Sequence, residues 1–153
     1  MLVPWSTQAQ SVARPPPNIL LVLTDDQDYM LGSSSREYMP NVNSLVGDAG
    51  LELQNFIVSM AWCCPSRASL FTGRFVHNHN ITSGKWPQGG ANKFLASGFG
   101  NDTLAVWLNQ LGYNSYFTGK YLNGFGAELA MPEPCPKGYR VFEGLVQKRG
   151  QYK

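Results

Sequence analysis

The chain has 153 residues, 43% of them hydrophobic and 14% charged, which suits one domain with a buried core and excludes a disordered segment. A net charge of +2, spread without a basic run, offers no electrostatic footprint for nucleic acid. No stretch approaches the roughly 18 apolar residues of a membrane span, so neither nucleic acid nor a bilayer is an expected partner. Residues 1–17 read as an amino-terminal tail; its short apolar start is interrupted by Pro4 and Gln8 and makes at best a degenerate signal peptide.

After Pro15-Pro16-Pro17, residues 18–24 form an unbroken apolar and β-branched run, which predicts a fully buried strand of a parallel sheet. Asp25 and Asp26 follow at its carboxyl end, where open α/β sheets place their ligands. Adjacent carboxylates repel unless a cation compensates, so the pair reads either as ligands for a hard divalent metal or as a solvated turn. Residues 28–39 are polar and rich in Gly and Ser, a loop bordering that edge. Residues 40–46, opened by Pro40, predict a short helix ended by Gly47 or Gly50. Residues 51–59 alternate as a second strand that delivers the chain to Cys63.

The most informative stretch comes next: Cys63-Cys64-Pro65-Ser66-Arg67, continued by Ala68-Ser69-Leu70-Phe71-Thr72-Gly73-Arg74. Neighbouring cysteines rarely bond each other, because their side chains diverge. Pro65, taken as the first helical position, predicts a helix over 65–72 with Cys63 at its positive end. That placement favours a thiolate or an anionic substrate. A buried thiol pair or part of a metal site are the alternatives, although no second cysteine pair stands at zinc-ligand spacing. With three cysteines, at least one is unpaired; Cys64 and Cys135 have no assigned role.

Further on, Val76-His77-Asn78-His79-Asn80 offers two histidines that suit proton donation or substrate binding, or simply a surface loop. Residues 84–99 read as a surface loop lining a cleft, with Trp86 as a packing residue. Residues 103–111 predict a helix, capped by Asp102 or Thr103 and closed by Gly112. Residues 113–118 form another strand, ending in Gly119-Lys120, where the glycine admits a ligand to the backbone and the ammonium meets an anion. Residues 127–153 show no clear periodicity, and 147–153 read as a polar tail. Alternating strands and helices argue for an α/β domain whose parallel sheet carries helices on both faces. Asp25, Asp26, Cys63 and Lys120 then converge on one edge of it.

The Cys-X-Pro-Ser-Arg run with its Ala-Ser-Leu-Phe-Thr-Gly-Arg continuation resembles the signature of the formylglycine-dependent sulfatases, and the Thr24-Asp25-Asp26 and Gly119-Lys120 segments resemble that family in the same order. The resemblance implies an alkaline-phosphatase-like α/β domain, of which residues 18–146 are the amino-terminal part and 147–153 a tail. It implies that Cys63 is oxidised to 3-oxoalanine (Cα-formylglycine) by a formylglycine-generating enzyme, and that its hydrate attacks the sulfur of a sulfate ester. One calcium ion at Asp25, Asp26 and residue 63 is implied with it. So are Arg67 orienting the hydrate, Lys120 contacting the sulfate, and His77 and His79 as secondary substrate ligands.

Many arylsulfatases place histidine two residues after that lysine; Leu122 stands here. Lys120-Tyr121-Leu122-Asn123 is instead similar to the N-acetylglucosamine-6-sulfatase branch. A sulfated sugar or other small sulfate ester is the implied substrate. A phosphonate or phosphate monoester hydrolase using the same site, or an inactive relic, are the competing readings. The family's later Asp-Asn calcium ligands, and its later histidine and lysine, have no counterpart in these residues. The sequons Asn80-Ile81-Thr82 and Asn101-Asp102-Thr103 lean towards a secreted or lysosome-like location.

Overall fold

The computed structural model describes residues 15–126, 135–148 and 151–152. The amino-terminal tail read as a degenerate signal peptide lies almost wholly outside them, as do residues 127–134. Helix α1, Pro40–Val42, runs straight into a wider turn, Asn43–Gly47, as the proline and the following glycine lead one to expect. Helix α2 spans Cys63–Thr72, α3 Val76–His79, α4 Gly90–Ala96 and α5 Leu104–Gln110. Strand β1, Ser115–Gly119, pairs in parallel with β2, Tyr139–Gly144, with Phe117 opposite Phe142.

Thr103 caps α5 as its hydroxyl oxygen accepts from the Val106 N–H at 3.5 Å, and Gly112 follows with φ +85°. The parallel β1–β2 pair, joined by a crossover and flanked by helices, agrees with the α/β expectation. No helix of the described residues is long and apolar enough to cross a membrane.

Helix α2 starts two residues earlier than the proline suggests. Pro65 sits in the first turn rather than at its first position, and the first helical bond runs from the Ser66 N–H to the Trp62 carbonyl at 3.0 Å. Residues 63, 64 and 65 are those whose N–H groups lack a helical acceptor, so a proline anywhere among them costs no hydrogen bond. Gly73, with φ +62°, ends the helix in a left-handed turn that residues with a Cβ rarely adopt.

Four other expectations need correction. Residues 18–24 belong to no strand, and they are exposed rather than buried: Leu20 is 90% exposed and Val22 76%. Ile19, Leu20, Leu21 and Leu23 face β1 across a cavity of about 880 Å³. Residues 51–59 likewise form no strand. Residues 84–99, read as loop, contain α4, whose Ala91 and Phe94 are buried; the Gly89-Gly90 pair that opens it disguised a helical pattern of only seven residues. Residues 139–144, where no periodicity was evident, form β2, and a short antiparallel pair, β3 (Gln147–Lys148) with β4 (Gln151–Tyr152), lies where a polar tail was expected at 147–153.

The core gathers Cys64, Ala68 and Phe71 from α2, Ile81 from the segment after α3, Ala91 and Phe94 from α4, and Tyr121, Leu122 and Phe125 from the turn after β1. Tyr121 is its hub. It stacks on Phe71 at 4.9 Å between centroids and meets Phe117, Phe125 and Phe142 edge-on at 5.7, 5.3 and 5.3 Å. Edge-on pairs bring the positive ring rim to a negative ring face and add to the area term. Tyr121→Ala is expected to cost about 3–5 kcal/mol, read as a lower urea midpoint; an unchanged midpoint would show that the hub does not hold the core.

Candidate active site

Three chain segments far apart in sequence meet at the carboxyl end of β1. Lys120 immediately follows the strand, and its ammonium donates to Asp25 Oδ2 at 2.7 Å. Arg67 is buried, only 6% exposed, with Nη2 3.4 Å from Asp25 Oδ1 and Nη1 donating to the Lys120 carbonyl. Asp25 thus sits between an ammonium and a guanidinium. The Lys120 hydrogen bond, helped by the charges of both cations and opposed by partial burial, holds its carboxyl below the usual carboxylate range.

Residues 25 and 26 would point to opposite faces if both were extended. Asp26 instead has φ +53°, a left-handed turn that aspartate tolerates better than most residues. The break in alternation lets both carboxylates join one cluster. Asp26 Oδ1 lies 4.0 Å from the Cys63 sulfur, a long thiol contact. Cys63 and Arg67 stand four residues apart on α2, so one helix face presents them together. Cys63 is also the first residue of a ten-residue helix whose leading N–H groups have no helical acceptor, a setting that favours negative charge.

The neighbouring thiol differs. Cys64 is wholly buried in the core, and burial pushes its pKa up. Of the adjacent cysteines, only Cys63 reaches the carboxylates. Cys135 is also free and part-buried, with its sulfur 3.9 Å from the Tyr139 carbonyl oxygen.

One donor atom each from Asp25, Asp26 and Cys63 falls within 4.8 Å of the others. Two carboxylates suit a hard divalent cation; a thiol does not, whereas an oxygen-bearing side chain at position 63 does. Three groups supply one side of the six to eight oxygens calcium prefers. The residues therefore fit part of a hard-cation site.

Of the other residues singled out, His77 is exposed and stacks on Phe75 at 5.8 Å, making no contact with the cluster. His79 is buried, and both its ring nitrogens are engaged inside the chain. Leu122 is wholly buried in the core, so position 122 presents nothing to the cluster. The Arg67–Asp25 pair, bridging 42 residues, has no signal in the local sequence.

A family model described as Sulfatase matches residues 17–143. An arylsulfatase of Volvox carteri is 34% identical over 145 residues, covering 95% of this chain and 22% of that protein. An N-acetylglucosamine-6-sulfatase of Homo sapiens is 34% identical over 138 residues, covering 89% of this chain and 24% of its own length. An extracellular sulfatase homolog of Drosophila melanogaster is 33% identical over 155 residues, covering 97% and 12%. The chain thus spans about a quarter or less of the length of these relatives. No solved structure matches.

Proposed function

Because the chain belongs to the sulfatase family, we propose that the complete protein hydrolyses sulfate monoesters at the cluster of Asp25, Asp26, Cys63, Arg67 and Lys120. The observation that supports this reading best is the convergence of two cations, two carboxylates and a helix-start cysteine at the carboxyl end of β1. Cys63 acts as its oxidised form, Cα-formylglycine, made by a formylglycine-generating enzyme; when hydrated, that group supplies the nucleophilic hydroxyl. Asp25, Asp26 and residue 63 would hold a calcium ion, which would offset the charge of sulfate oxygens and lower the proton affinity of a nearby hydroxyl.

The chain's own residues do the rest. Asp25 holds the Lys120 ammonium and the Arg67 guanidinium beside residue 63, where both face an ester oxyanion. Arg67 keeps a fixed orientation through its second bond, to the Lys120 carbonyl, so its charge need not reorganise as the ester reacts. Asp26, turned towards residue 63, accepts a proton-bearing group there. Leu122 fills the core in place of a proton donor, so the leaving-group acid comes from elsewhere in the complete protein.

The relatives' names point to aryl sulfates or a sulfated amino sugar as substrates, and to secretion as the route. The complete protein, co-produced with a formylglycine-generating enzyme, is expected to cleave an aryl sulfate faster than the matching aryl phosphate. The tryptic peptide containing Cys63 is expected to weigh about 18 Da less than the thiol form, as conversion of a thiol to an aldehyde requires. Faster phosphate cleavage would transfer the site to phosphate or phosphonate esters. Full turnover with an unmodified thiol would overturn the aldehyde.

A further inference from the structure

We propose that His79 is a positioning residue for the chemistry at residue 63, clamping α2 through Ser69 and the segment that enters α2 through Ser59. The inference rests on the sulfate-ester reading for its activity test, but its geometry is independent of it. His79 ends α3, and Asn80, with φ +53°, turns the chain back so that the Ile81 N–H donates to His79 Nδ1 at 3.0 Å. A nitrogen that accepts a backbone N–H carries no proton of its own. The neutral ring must then bear its hydrogen on Nε2, which lies 3.0 Å from the Ser69 hydroxyl. Ser69 receives that hydrogen and has its own to give, with Ser59 Oγ at 3.2 Å.

The two serines straddle Cys63, four residues before it and six after. Six residues along an α-helix is about 240° of rotation, so Ser69 lies well round the helix from Cys63 and Arg67. His79 therefore grips the back of the helix whose front carries the reacting group. Its environment keeps it in this role. The ring is 2% exposed and packs edge-on against Phe99 at 6.4 Å. Burial, with the charges of Arg74 and Lys93 and against a hydrogen bond to the Pro65 carbonyl of α2, holds its pKa below that of an ordinary histidine. A neutral ring bound at both nitrogens is suited to holding a helix and unsuited to delivering a proton or gripping a sulfate.

Two substitutions separate the ring's functions. In the complete protein, His79→Gln places an N–H donor near the Nε2 position and keeps the link to Ser69, whereas His79→Asn keeps the acceptor for Ile81 and drops that link. His79→Asn and Ser69→Ala are each expected to lower kcat per folded molecule by about tenfold with little change in KM, since small misplacements of a reacting group are costly. His79→Gln is expected to restore most of kcat, with an unshifted pH–rate profile and the same aldehyde content at residue 63. Wild-type kcat in folded His79→Asn overturns the proposal, and so does a shifted pH profile in His79→Gln.

A second readout needs no turnover. Selective nitrogen-15 labelling of histidine is expected to show His79 as the Nε2–H tautomer, protonating only below the range of an ordinary histidine. An Nδ1–H tautomer, or ordinary titration in that range, overturns the clamp. An inactive wild type with the expected tautomer would instead count against the sulfate-ester reading alone.

Discussion

Replacing Cys63 by alanine is expected to reduce steady-state sulfate-ester turnover by at least about 10³-fold, with the thermal midpoint nearly unchanged. In the proposed reading residue 63 is a covalent nucleophile, and removing such a group typically erases most of the acceleration of the site it serves. The small stability effect follows from position. Cys63 is only part-buried and sits at the first turn of α2, whereas its neighbour Cys64 belongs to the core. Cys64→Ala is the matched control: it removes a wholly buried thiol, lowers the midpoint, and leaves activity per folded molecule largely intact. Cys63→Ser adds a further distinction. Its hydroxyl has one attack to make but no second hydroxyl on the same carbon to expel the sulfate, so the variant should stall after a single event. Steady turnover by Cys63→Ala within tenfold of wild type would remove residue 63 from the chemistry.

The second large effect is expected at Arg67, where structure and chemistry are coupled. Arg67→Ala removes one donor to both Asp25 and the Lys120 carbonyl, while Asp25 keeps its bond from the Lys120 ammonium. Charged hydrogen bonds are worth about 1.5–3 kcal/mol. The Asp25 side chain is 43% exposed, which screens its share and puts the expected loss nearer the lower end of that range. Turnover is expected to fall by about 10²–10³-fold, the usual consequence of deleting a fixed charge donor from a reacting site.

Arg67→Lys tests whether charge alone suffices. A lysine ammonium is a point donor on a flexible stem and does not reproduce a planar fork that spans a carbonyl and a carboxylate. Recovery of less than a tenth of the lost activity is expected, with most of the stability regained. Activity within threefold of wild type in either variant would show that the guanidinium does not serve the ester. An unchanged midpoint in Arg67→Ala would show that the bridge between α2 and β1 contributes nothing to folding.

What the sequence determined by itself is local. The signature helix, the Thr103 cap, the short helix opened by Pro40 and the strand before Gly119-Lys120 depend on residues within a turn or two of each other, and they are found close to where the pattern places them. The shared face of Cys63 and Arg67 is local too, being a matter of helical spacing. The limits of local reading appear wherever a partner is distant. The apolar run 18–24 records a demand for burial, but burial depends on what covers a segment, and the described residues leave it exposed. Strand β2 is recognisable as a strand only through its pairing with β1, twenty or more positions earlier.

Only the tertiary structure decided the site's electrostatics. Asp25 meets Lys120 across 95 residues and Arg67 across 42, and no periodicity encodes a contact of that range. It also divided two cysteines and two histidines that look alike on the page. Cys63 faces carboxylates while Cys64 faces hydrocarbon, and His77 lies at the surface while His79 is locked inside. Adjacent or near-adjacent side chains on a helix point in different directions, so their environments come from the elements packed around them and not from their sequence neighbours.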